Sequence, residues 1–178
     1  MSLQPDAYFA KFTDITPEYL AAQGISALLI DIDNTLAPYE EPDPRPETAA
    51  WFASLAAAGI RAALISNNGP ERVERFNRTL GLPAFPDAHK PLPGTARRVL
   101  DLLGAEPGQA AALGDQIFTD ILCARLCGMR GILVPPIRDK RTLFWRIKRA
   151  GERPIIAAWR RRHGEFTDAD SIERKENA

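Results

Sequence analysis

The fold is decided by the stretch Ala27-Leu28-Leu29-Ile30-Asp31-Ile32-Asp33-Asn34-Thr35. Its first four residues form an uninterrupted apolar run, which is typical of a strand covered on both faces of a parallel sheet. Two carboxylates follow directly, at Asp31 and Asp33, and burying such a pair is costly unless a cation or a substrate compensates the charge. Open α/β sheets bind their ligands in the crevice beyond the carboxyl ends of the strands. The stretch therefore predicts an α/β fold with a site at the end of this strand.

The rest of the chain repeats this strand pattern and alternates it with helices. The predicted strands are 27–31, 62–66, 110–113 and 131–134, all of them uninterrupted apolar runs. Prolines open and glycines close three predicted helices, at 46–59, 70–81 and 93–104, and a fourth covers 117–127. The alternation predicts a doubly wound, Rossmann-like parallel sheet with helices on both faces and right-handed crossovers.

Length and composition limit the class of protein. The 178 residues suffice for one domain with its own core, which we assign to residues 1–163, and we expect residues 164–178 to form a flexible tail. The start of the chain lacks the basic and apolar regions of a signal peptide, and no apolar run approaches the roughly 20 residues that span a bilayer. We expect a cytoplasmic protein, at most peripheral on the inner membrane face. Cys123 and Cys127 are expected to be buried and reduced.

Charge is distributed unevenly although the net charge is zero. Residues 137–163 carry ten basic side chains against two acidic ones, a net charge of +8. A helical wheel of residues 140–149 places the following cations opposite its apolar side: Arg141, Arg146, Lys148 and Arg149. Pro154 is expected to end this helix. The segment fits an amphipathic helix that packs on the sheet with its charges in solvent, or a surface that binds anionic lipid. Only its charge supports nucleic acid as a partner.

Two motifs suit a phosphate group. Ser66-Asn67-Asn68-Gly69 follows the second predicted strand and precedes a helix, whose N-terminus offers N–H groups and a positive dipole end to an anion. Lys90 lies in a proline-containing loop that leads into the next helix. Alone, the first motif is an ordinary turn and Lys90 an ordinary surface lysine. At one edge of a parallel sheet, Ser66 and Lys90 would supply the donor and the positive charge that a transferring phosphoryl group needs.

A third motif brings two further carboxylates to the same edge. Asp115 and Asp120 follow the strand predicted at 110–113. On their own they fit the N-cap and first turn of the next helix. Gathered with Asp31, they would repel one another without a hard cation. Mg²⁺ fits this need, because it binds a few carboxylate oxygens together with oxygens of a substrate phosphate.

These motifs, in this order, resemble the haloacid dehalogenase (HAD) superfamily, whose phosphatases act through a phospho-aspartate. The resemblance extends from about residue 15 to about residue 156. It implies that Asp31 is the nucleophile and a metal ligand. It also implies that Asp33 first protonates the leaving alkoxide and then activates water, while its backbone carbonyl binds the metal. The presence of Asp33 is what distinguishes phosphatases from the dehalogenases of the superfamily.

The same resemblance assigns roles to the other motif residues. Ser66 and the amide of Asn67 would hold phosphate oxygens, and Lys90 would neutralise the phosphoryl charge and orient Asp31. Asp115 would bind Mg²⁺ directly. Asp120 would lie in the outer shell of the metal or hold Lys90.

The intervals between the motifs leave no room for a cap domain. Between Asp31 and Ser66 there is space for a proline-rich loop, one helix and one strand, and between Ser66 and Lys90 for one helix and a loop. A site without a cap is open and suits a substrate that covers the site itself. Such substrates include a lipid headgroup, a protein, a nucleic acid end, or a sugar phosphate beneath an oligomer partner.

A narrower resemblance concerns both ends of the domain. Ile15-Thr16-Pro17-Glu18-Tyr19-Leu20 and residues 143–149 are similar to the YqeG family of capless, subclass III HAD phosphatases, which is similar to the mitochondrial phosphatidylglycerophosphate phosphatases. This resemblance implies a Mg²⁺-dependent phosphatidylglycerophosphate phosphatase of anionic phospholipid synthesis, with an anionic lipid as substrate. Two alternatives stay open. One is the same chemistry on a soluble phosphate ester or phosphoprotein, and the other is a HAD-like module that binds nucleic acid or a ribosomal partner.

Overall fold

The computed structural model describes residues 2–138 and 143–167. Its centre is one parallel sheet made of β1 (Ala7–Tyr8), β2 (Ala27–Ile30), β3 (Arg61–Ile65), β4 (Ala84–Phe85), β5 (Ala110–Gly114) and β6 (Arg130–Leu133). The strands are ordered β1-β6-β5-β2-β3-β4. From β2 the chain builds outward through β3 and β4 and then, on the other side, through β5 and β6. The predicted doubly wound parallel fold is confirmed.

Helices connect the strands, and most of their boundaries have a local cause. They are α1 (Pro17–Ala22), α2 (Pro46–Ala57), α3 (Pro70–Asn77), α4 (Pro93–Leu103), α5 (Leu122–Cys127) and α6 (Leu143–His163). Each of the first four begins with a proline, whose fixed φ and missing N–H suit the first helical turn. Gly104 and Gly128 end α4 and α5 in the left-handed conformation, with φ of 58° and 75°.

Both faces of the sheet are covered, which explains why the strands read as uninterrupted apolar runs. In β2, Leu28 and Ile30 pack into a layer with α1, α2 and α3. The alternate side chains, Ala27 and Leu29, pack into a second layer with α4 and α5. The cysteines of α5 lie in this second layer, buried and without a disulfide, as predicted.

Some elements differ from their predictions. The two-residue strands β1 and β4 are too short to produce a pattern in the sequence. The helix predicted to reach residue 81 ends at Asn77, because the Asn77 side chain donates to the Leu82 carbonyl and accepts from the Leu82 N–H. The helix predicted from residue 117 begins as a π-helical turn, Ile117–Ile121, before α5.

The prediction that Pro154 ends its helix was wrong, because α6 continues through it to His163. Proline removes one backbone donor from a helix, but tertiary contacts hold α6 on both sides of this position. The Glu152 carboxylate accepts from the N–H of Ile117 at 2.8 Å. Trp159 is 3% exposed and packs edge-on against Tyr8. These contacts outweigh the local cost of the proline.

The basic segment and the predicted tail are each only partly described. Residues 139–142, and residues 168–178 of the tail predicted at 164–178, lie outside the described residues. At the start of that tail, Phe166 lies 5.1 Å from Tyr8 between ring centroids. Thr167 accepts from the Tyr8 N–H at 2.8 Å. Residues 164–167 are therefore attached to the edge strand β1.

The carboxyl edge of the sheet carries no inserted domain. The interval from Asp31 to Ser66 contains α2 and β3, and the interval from Ser66 to Lys90 contains α3 and β4. Both intervals lie wholly within residues 2–138. Among the helices described, none has both the length and the apolar character to cross a bilayer.

Candidate active site

Three predicted site residues occupy equivalent positions at the carboxyl edge. Asp31, Ser66 and Asp115 are each the first residue after a strand, namely β2, β3 and β5. These strands are neighbours, and Ile30 pairs with Leu64 on one side and with Leu113 on the other. Extended by one residue, this register places Ile65 and Gly114 beside Asp31, so Ser66 and Asp115 follow one position further along the same edge. All three are buried.

Lys90 joins two of the carboxylates. Its Nζ lies 2.7 Å from Asp31 Oδ1 and 2.7 Å from Asp120 Oδ1. The Lys90 side chain is 4% exposed. The Thr35 hydroxyl donates to the second oxygen of Asp31 at 3.0 Å. The Asp31 carboxylate is thus held from two directions.

Asn67 fixes the loop that carries Lys90. The Asn67 side-chain amide donates to the Lys90 carbonyl at 2.9 Å, and its oxygen accepts from the Lys90 N–H at 2.7 Å. The family resemblance implies a role for Asn67 through its backbone amide alone. Its side chain additionally connects the turn after β3 to the lysine loop. Ser66 stabilises the same turn, because its hydroxyl oxygen accepts from the Asn68 N–H at 3.0 Å.

The carboxylates of Asp31, Asp115 and Asp120 form one cluster. A carboxylate oxygen from each lies within 4.8 Å of the others, and all three residues are buried. Carboxylate oxygens at this spacing are the donor set that a hard divalent cation prefers. The residues therefore fit a divalent metal. The Asp33 carboxylate is not part of this cluster, and the resemblance assigns the backbone carbonyl of Asp33 to the metal.

Burial makes the charged forms in this cluster costly. It raises the pKa of Asp31 to about 6, against the attraction of Lys90, and the pKa of Asp115 to about 7, against the attraction of Arg149. Burial alone would lower the pKa of Lys90, but the attraction of Asp120 and Asp31 outweighs it, and this pKa lies above its usual value. Lys90 therefore stays charged at neutral pH, and the carboxylates need more positive charge than it supplies.

Gly114 makes room for Asp120. A Cβ at position 114 would lie 2.1 Å from Asp120 Cγ and 2.3 Å from its Oδ2, closer than any real contact. Asp120 Oδ2 in turn accepts from the N–H of Gln116 at 3.1 Å. The missing side chain thus allows the Asp120 carboxylate to fold back beside the strand and reach Lys90.

Asp33 is held by donors that the sequence analysis missed. Its Oδ2 accepts from the Asn68 side-chain amide at 2.5 Å, and its Oδ1 accepts from Arg72 Nε at 3.1 Å. Asn68 belongs to the quoted turn motif, and Arg72 lies in the first turn of α3, beside that edge. Their positions were therefore predictable, but a pairing with Asp33 had no local signal.

The basic helix α6 also contacts the site, contrary to the predicted solvent-facing position of Lys148 and Arg149. Arg149 donates to the Asp115 carboxylate and, at 2.5 Å, to the Asp115 carbonyl. Lys148 donates to the Gln116 side chain. Glu152, which is fully buried, accepts from Arg149 at 2.9 Å. This network ties the loop after β5 to a helix that lies far away in the sequence.

Comparison with known proteins identifies a protein family by sequence and, separately, solved structures with a similar fold. The model of the haloacid dehalogenase-like hydrolases matches residues 6–128. A curated relative, "Probable phosphatase YqeG" from Bacillus subtilis, is 31% identical over 158 residues, which cover 89% of this chain and 92% of the relative.

Solved structures with the same fold are distant in sequence. The cobalt-bound deoxy-D-mannose-octulosonate 8-phosphate phosphatase from Haemophilus influenzae superposes with a TM-score of 0.54 at 16% identity, covering 65% of this chain and 81% of that one. An uncharacterized protein from Listeria monocytogenes gives a TM-score of 0.52 at 16% identity, covering 66% and 85%. At these identities the likeness establishes the fold alone.

Proposed function

Because this chain belongs to the haloacid dehalogenase-like hydrolase family, we propose that its phosphatase chemistry proceeds through a phospho-aspartate on Asp31, with residues 1–163 as the catalytic domain. The observation that carries the proposal is the bridge of Lys90 Nζ between Asp31 and Asp120, at 2.7 Å from each. A buried ammonium keeps a carboxylate ionised and oriented, as a nucleophile requires. Its charge also balances an incoming phosphoryl group.

In the first step, a carboxylate oxygen of Asp31 attacks phosphorus in line with the leaving group. The bond between phosphorus and the oxygen of the substrate alcohol breaks, and the proton of Asp33 goes to that departing oxygen. General acid catalysis of this kind contributes about 10²–10⁴-fold. The position of Asp33, two residues after Asp31 and on the same loop, supports this role.

In the second step, water attacks the phosphorus of the acyl phosphate. The bond from phosphorus to Asp31 breaks, and Asp33 takes the proton that the water loses. Both aspartates return to their starting forms, and inorganic phosphate is released. Ser66, the backbone amide of Asn67 and Lys90 hold the phosphate oxygens during both steps.

Asp31, Asp115 and the backbone carbonyl of Asp33 would bind Mg²⁺, with Asp120 in the outer shell. When bound, the cation neutralises the charge between the nucleophile and the phosphate. The cluster of three carboxylates within 4.8 Å supports this assignment. Mg²⁺ is the proposed ion because it accepts a few carboxylates and leaves positions for phosphate oxygens.

Mg²⁺ added to chelator-treated protein is expected to raise the thermal unfolding midpoint, and more strongly at higher pH. Asp31 and Asp115, with pKa values of about 6 and about 7, must lose protons before they bind a cation. The apparent affinity should therefore rise between about pH 5 and about pH 8. At about 100 times the dissociation constant, binding adds about 2.7 kcal/mol to the free energy of unfolding.

Differential scanning fluorimetry over a range of pH and Mg²⁺ concentration measures this shift. Asp115→Asn should lose the shift, whereas Asp101→Asn, an exposed position on α4, should keep it. A shift that is independent of pH, or one that survives in Asp115→Asn, would exclude this metal site.

For the substrate, the resemblance favours the lipid monoester phosphatidylglycerophosphate at the cytoplasmic face of the membrane. Three features of the molecule support it. The site has no cap, and exposed groups on α6, including Ile147 at 64% exposure, Arg161 and Arg162, could contact an anionic lipid surface. A groove of about 580 Å³ borders Thr35, and apolar residues such as Val134 and Ile137 line it together with the charged residues Lys11, Arg45 and Glu47.

The test is phosphate release from phosphatidylglycerophosphate in anionic vesicles beside a panel of soluble phosphate esters. The wild type should prefer the lipid. Changing Arg161 and Arg162 together to serine should lower kcat/KM on vesicles by about thirtyfold, since each arginine near an anionic surface contributes about 1 kcal/mol. Arg160 is left in place because its guanidinium lies 5.3 Å from the Tyr8 ring and has a packing role.

The matched control changes two exposed arginines of α4, Arg97 and Arg98, to serine. Neither pair should affect hydrolysis of a soluble ester. A preference for a soluble ester would reject the lipid substrate. Equal effects of the two pairs on vesicles would reject α6 as the docking surface.

A further inference from the structure

Asp33 is bound on both oxygens by residues from one short segment. Asn68 donates to Oδ2 at 2.5 Å and Arg72 Nε donates to Oδ1 at 3.1 Å. The Asp33 side chain is 9% exposed and that of Arg72 is 14% exposed. A carboxylate held by two donors in a nearly buried place has one orientation, and here that orientation is set by the turn before α3 and by the first turn of α3.

Arg72 is itself fixed by other contacts. Its Nη1 donates to the Pro42 carbonyl at 3.1 Å, in the proline-rich loop that follows Asp33. Its guanidinium also lies 5.3 Å from the centre of the Phe76 ring, one turn further along α3. Arg72 therefore connects three parts of the molecule, namely α3, the proline-rich loop and the carboxylate of Asp33.

One further donor of Arg72 faces the same side. The Nε hydrogen and Nη2 lie on the same edge of the guanidinium group. This edge faces Asp33, because Nε donates to Asp33. Nη2 is buried and has no hydrogen-bond partner among the described residues. A buried donor without an acceptor costs free energy. Among the described residues, this edge of Arg72 therefore bonds Asp33 alone.

We propose that Arg72 is a positioning residue for Asp33. By holding one oxygen of the Asp33 carboxylate, Arg72 determines that the other oxygen exchanges the proton with the leaving group. The inference rests on the proposed function. Arginine has donors only, so Oδ1 of Asp33 stays an acceptor beside Arg72, and Oδ2 is the oxygen that carries the proton. The Asn68 amide has both a donor and an acceptor, and by rotating it pairs with either form of Oδ2.

Because this role concerns proton delivery to the leaving group, its loss depends on the leaving group. A p-nitrophenolate leaves without a proton, whereas an alkoxide needs one. Arg72→Gln should therefore lower kcat/KM for an alkyl ester such as glycerol phosphate by about tenfold or more, and for p-nitrophenyl phosphate by less than about threefold. The slope of log kcat/KM against the pKa of the leaving alcohol should become steeper.

Two further variants complete the comparison. Arg72→Lys keeps one donor and the charge but not the planar pair of donors, and its slope should lie between those of the wild type and Arg72→Gln. It also replaces Arg72→Gln if that protein does not fold. Arg75→Gln is the matched control, one turn away on α3, because Arg75 is 53% exposed and pairs only loosely with Asp43, at 3.6 Å. Its slope should equal that of the wild type.

The outcomes separate this inference from the proposed function. If the wild type hydrolyses none of the esters, the proposed function fails, and the inference fails with it. If the wild type is active and Arg72→Gln loses the same factor on every ester, Arg72 serves phosphate binding or stability and the inference alone is overturned. An unchanged Arg72→Gln protein overturns it as well.

Discussion

Asp31→Asn is expected to reduce phosphate release by at least about 10⁴-fold, the scale seen when a covalent nucleophile is removed. An amide does not attack phosphorus, and no phospho-enzyme forms. The fold should survive this change, because asparagine has the shape of aspartate. Its oxygen can still accept from Lys90, and its NH2 group can donate to the Thr35 hydroxyl oxygen once that hydroxyl turns. Burial raises the pKa of Asp31 to about 6, so removing this charge should leave the metal-free protein at least as stable as the wild type. Phosphate release and thermal unfolding measure the two effects.

The covalent intermediate gives an independent check. Wild type quenched in acid during turnover should carry phosphate that hydroxylamine removes, as expected for an acyl phosphate, and Asp31→Asn should carry none. Asp14→Asn, at a half-buried position paired with Lys11 and outside the site, is the matched control and should behave as the wild type. If Asp31→Asn keeps a tenth of the wild-type rate, Asp31 is not the nucleophile.

Lys90→Met is expected to lower the free energy of unfolding by about 3–5 kcal/mol, the range for removing one partner of a buried ion pair. The Lys90 side chain is 4% exposed, and its ammonium group contacts both Asp31 and Asp120. Methionine fills a similar volume but leaves two buried carboxylates without their cation. Phosphate release should be lost as well. Urea denaturation followed by circular dichroism measures the change in stability.

To test whether the unpaired carboxylates cause this loss of stability, one of them is removed together with the lysine. In the double variant Lys90→Met with Asp31→Asn, one carboxylate disappears together with the lysine, so part of the lost stability should return. Lys11→Met, where the side chain is 69% exposed, is the control and should change stability little. A Lys90→Met protein within about 1 kcal/mol of the wild type would show that the bridge contributes little.

The centre of the fold was predictable because its signals are local. Strands β2, β3 and β5 are buried on both faces, and this burial appears in the sequence as short apolar runs. The prolines that open α2, α3 and α4 mark helix starts by their own geometry. The residues that follow each strand then had to meet at one edge, since neighbouring parallel strands in register end together. Asp31, Ser66 and Asp115 were therefore placed correctly at that edge without any knowledge of their contacts.

What the sequence did not predict depends on contacts between distant segments. Arg149 and Glu152 look like ordinary charges of an amphipathic helix, and only the packing of α6 brings them to Asp115. Arg72 reaches Asp33 from another element in the same way. At Pro154 a local signal led to a wrong prediction. The proline predicts a helix end, but the tertiary contacts of Glu152 and Trp159 on either side keep α6 helical through it. Local rules describe elements well, but they do not reveal which charged side chains will meet.

The close approach of Asp120 to Gly114 has a consequence for anyone who transfers this site to another scaffold. Copying the acidic residues and the lysine would not reproduce it, because a Cβ at position 114 would lie 2.1 Å from Asp120 Cγ. Part of the design is the missing Cβ of Gly114, whose place the Asp120 carboxylate occupies. A search that aligns functional groups alone would overlook this requirement, and a transplanted site needs the glycine as much as it needs the aspartates.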